Sequence, residues 1–213
     1  MKVIALNLHS MNIFFYSIIW RQGKSSHACL YAKQTGYTLL TNDVENCTEE
    51  IYKNMFEPGQ IITIHPWEPL NLDQWENYVI DFGGWVESRV PQAAKLSDLC
   101  VVPFRYQSRG DLIPTIKAIK NLEHYNPNIA ILINNTPKVV AKDLKETLQE
   151  HFPNHPVFII NPSKYIARMA DENLTPFELY EQSGTDRYAL RYIMPQLIEF
   201  HTYLDNFKPH EKK

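Results

Sequence analysis

Short apolar runs alternate with amphipathic stretches along most of the chain. Runs rich in β-branched and aromatic residues cover 13–19, 38–41, 61–64, 78–80, 99–102, 129–133 and 157–160. They are apolar at odd and even positions alike, the pattern of strands covered on both faces. Segments with helical spacing separate them, at 25–33, 48–56, 86–96, 112–124, 141–151 and 163–170. A last stretch, from 185 to about 207, reads as one long helix interrupted at Pro195. Repeated strand–helix–strand units predict an α/β fold, a mostly parallel central sheet flanked by helices on both faces. No repeat, low-complexity tract or linker breaks the pattern, so a single domain is expected over 11–207, followed by a polar tail at 208–213. Residues 1–10 are an N-terminal extension with a strand-like pattern of their own. They read either as an extra edge strand or as a product of start-site choice, with Met11 the natural start.

Composition narrows the function classes. The 213 residues suit one sizeable α/β domain and would make two cramped. Cys29, Cys47 and Cys100 are far apart and show no ligand spacing, which points to a reducing, cytoplasmic setting and away from bound zinc. The histidines are scattered singly and read as core or surface imidazoles. The longest apolar run, around 11–20, contains Asn12 and Ser17 and stops at Arg21, short of the ~20 residues of a spanning helix. It also lacks the marks of a signal peptide. A net charge of −3 argues against a globally basic DNA-binding surface and leaves room for local basic patches.

The chemistry concentrates at strand ends. Trp20-Arg21-Gln22-Gly23-Lys24-Ser25-Ser26 follows the first strand and opens the first helix. Its second half, Gly23-Lys24-Ser25, completes the phosphate-binding pattern G-x-x-x-x-G-K-[ST]. There, backbone N–H groups cradle phosphates, the lysine reaches the terminal ones and the hydroxyl takes Mg²⁺. The first half departs from it, with Ile18 at the opening glycine and Trp20 and Arg21 inside the loop. Asp43, with Glu45 two residues on, follows the second strand. Asp81 ends the run Tyr78-Val79-Ile80 and precedes Phe82-Gly83-Gly84, while Asn134 ends the run 129–133. Ligands of open α/β sheets bind beyond such strand ends. Carboxylates there suit a metal or an attacking water, Gly83 and Gly84 suit a switching loop, and an amide suits a purine edge. Taken singly, each residue has a plainer use as a turn or helix cap. Four such signals in a set order are more specific.

That order resembles the ParA/MinD family of deviant Walker-A ATPases, across almost the whole chain from Met11. Phe15 to Ser26 is similar to the family's x-K-G-G-V-G-K-[ST]-T loop, Asp43-Val44-Glu45-Asn46 to its D-x-D-P motif, and Tyr78 to Gly84 to its D-x-[PG]-[PG] motif. Ser97-Asp98-Leu99-Cys100-Val101-Val102-Pro103-Phe104 looks like the family's A-D-x-V-[LI]-[VI]-P strand, and Asn134 lies on its adenine-contacting Asn. Asn161-Pro162, Ala170 and Thr175-Pro176-Phe177-Glu178 look like its late segment. The resemblance implies a P-loop NTPase domain that binds ATP and Mg²⁺. Lys24 would bind the β- and γ-phosphates, Ser25 would ligate the metal and Ser26 would touch the α-phosphate. Asp43 would position the attacking water beside the metal, and Asp81 would hold the metal shell. It also implies a homodimer closing on ATP and reset by hydrolysis, which the loop's departures would weaken, and a role in plasmid or mobile-element partitioning. A small adaptor or centromere-binding protein would be the partner. The family's signature lysine corresponds to Ile19, its two loop glycines to Trp20 and Arg21, and its second Asp to Glu45. Arg21 is the candidate substitute cation.

Other classes stay open. A loop without its signature lysine also fits a non-hydrolysing, nucleotide-gated interaction protein, for instance an accessory to conjugative transfer. A nucleotide kinase lacks its lid-like Arg cluster here. The tail has one aromatic and a proline, which does not make a membrane-docking amphipathic helix. Non-specific DNA binding at the nucleoid would fall to Lys138, Lys142 and Lys145, to Lys164 and Arg168, and to Arg187 and Arg191. The plainer use of these charges is to solvate a surface.

Overall fold

Among the described residues, seven parallel strands build one sheet in the order β3-β2-β4-β1-β5-β6-β7. The computed structural model of the chain describes residues 11–19, 21–44, 47–65, 67–72, 76–83, 88–182 and 184–209. The strands are β1 (Asn12–Ser17), β2 (Thr38–Thr41), β3 (Ile61–Thr63), β4 (Tyr78–Gly83), β5 (Leu99–Phe104), β6 (Ile129–Asn134) and β7 (Val157–Ile160). All seven apolar runs become strands, and every pairing is parallel. Residues 1–10, Trp20, Glu45, Gly84 and residues 210–213 lie outside the described residues.

Side-chain alternation along the strands feeds two cores. In β1, Ile13 and Phe15 enter one apolar cluster while Phe14 and Tyr16 enter the other. The first cluster is closed by α1 (Lys24–Thr35), α2 (Thr48–Tyr52) and the C-terminal helices α6 (Lys164–Ala167), α7 (Met169–Glu172), α8 (Pro176–Gln182), α9 (Gly184–Leu190) and α10 (Met194–Asp205). The second is closed by α3 (Val90–Leu96), α4 (Arg109–Glu123) and α5 (Lys138–His151). Central strands buried on both sides must be apolar at every position, which is why no period-two pattern appears in them. Among the described residues no helix is long and apolar enough to cross a membrane.

Several boundaries differ from the sequence expectation. The stretch 185–207 is two helices, α9 and α10, parted by a turn at 191–193. Pro195 belongs to the first turn of α10 rather than to a break, because a missing N–H costs nothing there. The segment 163–170 divides into α6 and α7 at Arg168, and α8 is a helix that the pattern did not separate. β1 stops at Ser17, leaving Ile18 and Ile19 to the loop, and β4 runs on to Gly83. Asp81 therefore sits inside a strand, paired in register with Phe15 on one side and Thr41 on the other.

Candidate phosphate-binding site

The strand order reverses direction about β1: β2, β3 and β4 lie to one side and β5, β6 and β7 to the other. The crevice outside strand ends at such a switch point is where open α/β sheets bind ligands. Here a cleft of 650 Å³ opens there. It is lined by loop residues 21–26, by Asn42, Asp43 and Gly83, and by Ser17 and Ile19.

The loop's shape rests on left-handed backbone. Arg21 has φ 59° and Gly23 φ 82°, just before α1 begins at Lys24. Glycine takes that conformation freely, whereas a side-chain-bearing residue is held in it against local strain. A Cβ on Gly23 would also lie 2.1 Å from Asn134 Nδ2, so this position needs glycine twice over. Gln22 is buried: its side-chain oxygen accepts from the Arg105 N–H, and its main-chain carbonyl accepts from Asn134 Nδ2 at 2.9 Å. The loop is thereby pinned to the ends of β5 and β6.

Lys24 does not extend freely into the cleft. Its ammonium is 2.5 Å from Asp81 Oδ1 and 3.4 Å from Ser25 Oγ. Asp81 is fully enclosed, and its second oxygen accepts from Thr41 Oγ1 at 3.3 Å. Asp43 lines the cleft with its Oδ2 accepting from Thr48 Oγ1 at 2.8 Å and its N–H donating to Thr41 Oγ1 at 3.1 Å. Ser26 Oγ is 3.4 Å from the Tyr52 hydroxyl, which burial pushes up to about 12 and so keeps protonated.

The structure thus brings Arg21, Gln22, Gly23, Lys24, Ser25, Ser26, Asp43 and Gly83 to one cleft, with Asp81 directly beneath Lys24. Asn134 is not among the lining residues. It is buried under the loop, and both ends of its amide have partners within the protein, His27 Nε2 at 2.9 Å and the Gln22 carbonyl at 2.9 Å. Its place is that of a buttress, not of a group facing a base. Because Nδ2 donates to Gln22, Oδ1 faces His27 and puts the imidazole proton on Nε2. Burial holds His27 near about 4, against a smaller upward pull from Asn134, so the ring is neutral. The sequence reading of Trp20, Glu45 and Gly84 falls outside the described residues.

Three residues escaped the sequence reading. Thr41 orients both Asp43 and Asp81, Tyr52 meets Ser26, and Asn42 reaches across to Gly83. Thr41 and Asn42 were visible as polar residues before Asp43 at the end of β2, but nothing in the spacing says which way they turn, and Tyr52, on α2, carried no such signal. Of the basic residues singled out, Arg168 pairs with Glu172 at 2.7 Å, and Arg187 covers the Tyr180 ring. Arg191 lies between the exposed rings of Tyr188 and Tyr192, and Lys164 covers Tyr165. Lys138, Lys142 and Lys145 all lie on α5.

No family model matches the chain, and no curated protein matches it in sequence. Solved structures do. MinD, a cell division protein of Aquifex aeolicus, superposes with a TM-score of 0.63 at 12% identity, covering 95% of this chain and 100% of the other. The MinC:MinD complex of the same organism gives 0.61 at 12% identity, with coverage of 96% and 99%. A plasmid partition protein of Borrelia burgdorferi B31, bound to AMPPNP, gives 0.58 at 12% identity, with coverage of 90% and 99%. The chain shares the α/β fold of these cell division and plasmid partition proteins. At these identities the likeness is one of fold.

Proposed function

We propose that this chain is a ParA-like ATP-binding protein that closes as a homodimer on ATP and serves in positioning or partitioning a plasmid or other mobile element, with slow hydrolysis. The observation that carries this reading is the convergence of Lys24, Ser25 and Asp43 on one cleft at the switch point, above the buried Asp81. The AMPPNP held by the Borrelia partition protein and the MinC partner of MinD favour a nucleotide ligand and an adaptor partner for this fold.

The donor set suits Mg²⁺. Ser25 Oγ and Asp81 Oδ1 already embrace a cation, the Lys24 ammonium, at 3.4 and 2.5 Å. With nucleotide present, Ser25 and Asp81 would hold the metal, with Asp43 beside them, and the ion would neutralise phosphate charge. Lys24, released from Asp81, would bind the β- and γ-phosphates. Gln22, Gly23 and Ser26 would present the loop, and Asp43 would orient water.

A non-hydrolysing variant of the same switch is favoured by one feature. The lining of the cleft carries the apolar Ile19, while the exposed Arg21 is the cation left to act in its place. Removing a transition-state cation costs about 10³- to 10⁵-fold in phosphoryl transfer. Equilibrium ATP binding followed by phosphate release, with and without DNA, separates the two. Lys24→Ala is expected to weaken ATP binding by about tenfold to a hundredfold, the worth of charge-assisted contacts to phosphate. Undiminished binding by that variant, or no binding by the wild type at millimolar ATP, sinks the nucleotide reading.

A further inference from the structure

Beside the phosphate loop, the cleft is lined by residues at and just beyond the ends of two neighbouring strands, β2 and β4. Their regular ladder finishes at the pair Thr41–Asp81. One more main-chain bond follows, Asn42 N–H to the Asp81 carbonyl at 3.3 Å. Beyond it the Asn42 side chain takes over. Its Oδ1 accepts from the Gly83 N–H at 3.1 Å and its Nδ2 donates to the Gly83 carbonyl at 3.3 Å. A carboxamide has the donor and acceptor of a peptide unit, so Asn42 adds a rung that the backbone no longer supplies. Both of Gly83's main-chain groups are therefore held from the segment after β2 that carries Asp43.

Gly83 also touches the phosphate loop's lysine. A Cβ there would lie 2.3 Å from Lys24 Cε and 3.0 Å from Nζ, so the lysine stem runs against the bare Cα. When Lys24 leaves Asp81 for a phosphate, Gly83 would lose that packing, and the Asn42 rung would hold the end of β4 from the β2 side, while Ser17 of β1 stays in register with it on the other. Asn42, Asp43 and Gly83 line the same cleft as the phosphate loop. On the reading above, Lys24 would reach the β- and γ-phosphates and Asp43 would orient the attacking water, so the Asp43 segment belongs to the phosphate that ADP lacks.

We infer that Asn42 is a positioning residue that ties the Asp43 segment to the Gly83 segment, so that the two respond together to the terminal phosphate and distinguish ATP from ADP. The inference rests on the nucleotide reading above and deepens it. Asn42 needs no contact with the nucleotide for this; it acts through Gly83.

The test compares Asn42→Ala with the wild type in equilibrium binding of ADP and of a non-hydrolysable ATP analogue. Amide hydrogen exchange at Gly83 is followed in the unliganded proteins. The expected result is faster exchange at Gly83, unchanged ADP affinity, and about a tenfold loss confined to the ATP analogue, the equivalent of one or two hydrogen bonds. Equal loss for both nucleotides would mean a general structural role and overturn the proposal. An unchanged ratio of the two affinities overturns it as well. Failure of the underlying reading is visible separately, because the wild type itself would then bind neither nucleotide, and the sensing role would fall with it.

Discussion

Arg21 is the residue at which the departure from a glycine-rich loop becomes a physical quantity. Its φ of 59° places a side-chain-bearing residue where glycine rests without strain. Replacing it with glycine is expected to stabilise the folded state by about 1 kcal/mol, because the strain removed exceeds the added freedom of the unfolded chain. Urea unfolding of Arg21→Gly measures this, and a lower midpoint than wild type would show that the guanidinium contributes more than the strain costs. The same variant reports on chemistry, since phosphate release at an undiminished rate removes Arg21 as the substitute cation. Gly23, Lys24 and Ser25 were legible from sequence because a strand before and a helix after fix what that triplet can do. Asn134 was legible only as a polar strand end. Spacing does not reveal whether an amide turns toward the cleft or toward the underside of the loop, and here His27 and Gln22 claim it. Asn42 was invisible for the same reason.

Helix α1 shows how an element can be read in outline and missed in content. Its start after Gly23 and its end at Gly36, both in left-handed conformation, follow from two glycines visible in the sequence. What could not be read is that its buried face carries His27 and faces His201 of α10 through the Phe200 ring. Burial pushes His27 down to about 4, and burial with the nearby His27 pushes His201 down to about 3. Both folded-state values lie below the ordinary 6.5. Between that value and the folded ones the unfolded chain binds protons that the folded chain refuses, so stability is present above pH 6.5 and falls as pH falls. From pH 7 to pH 5 the loss is expected to be about 2 kcal/mol per imidazole. Denaturant midpoints at the two pH values measure it, with His201→Leu as the variant in which roughly half of the loss disappears. Midpoints that do not move would show that the packing of α1 on α10 opens to water. The split of 185–207 into α9 and α10 was likewise hidden, since a proline marks the start of a helix as readily as an interruption.

At the scale of the molecule, the sequence carried the class of fold and not the order of its strands. Seven apolar runs with helices between them require a parallel sheet, but the placement of β4 between β1 and β2 is a long-range choice. That choice creates the switch point and with it the cleft. Among the described residues it also leaves β3 as an edge, and the edge is closed in an economical way. The residues flanking Ile61 and Thr63 bond inward to β2, leaving these two to face outward. The outward N–H of Thr63 donates to Glu49 Oε2 of α2 at 3.1 Å, and the Thr63 hydroxyl donates to the same oxygen. A carboxylate thus occupies a position where a further strand would have to begin pairing. Growth of the sheet from this side is blocked by charge, so copies of the chain that meet on this side must do so through loops and helices. Glu49→Ala is expected to unmask the amide and promote concentration-dependent association through β3, seen by light scattering and by thioflavin fluorescence. A variant that stays as dispersed as the wild type would locate the protection in the brevity of the strand instead.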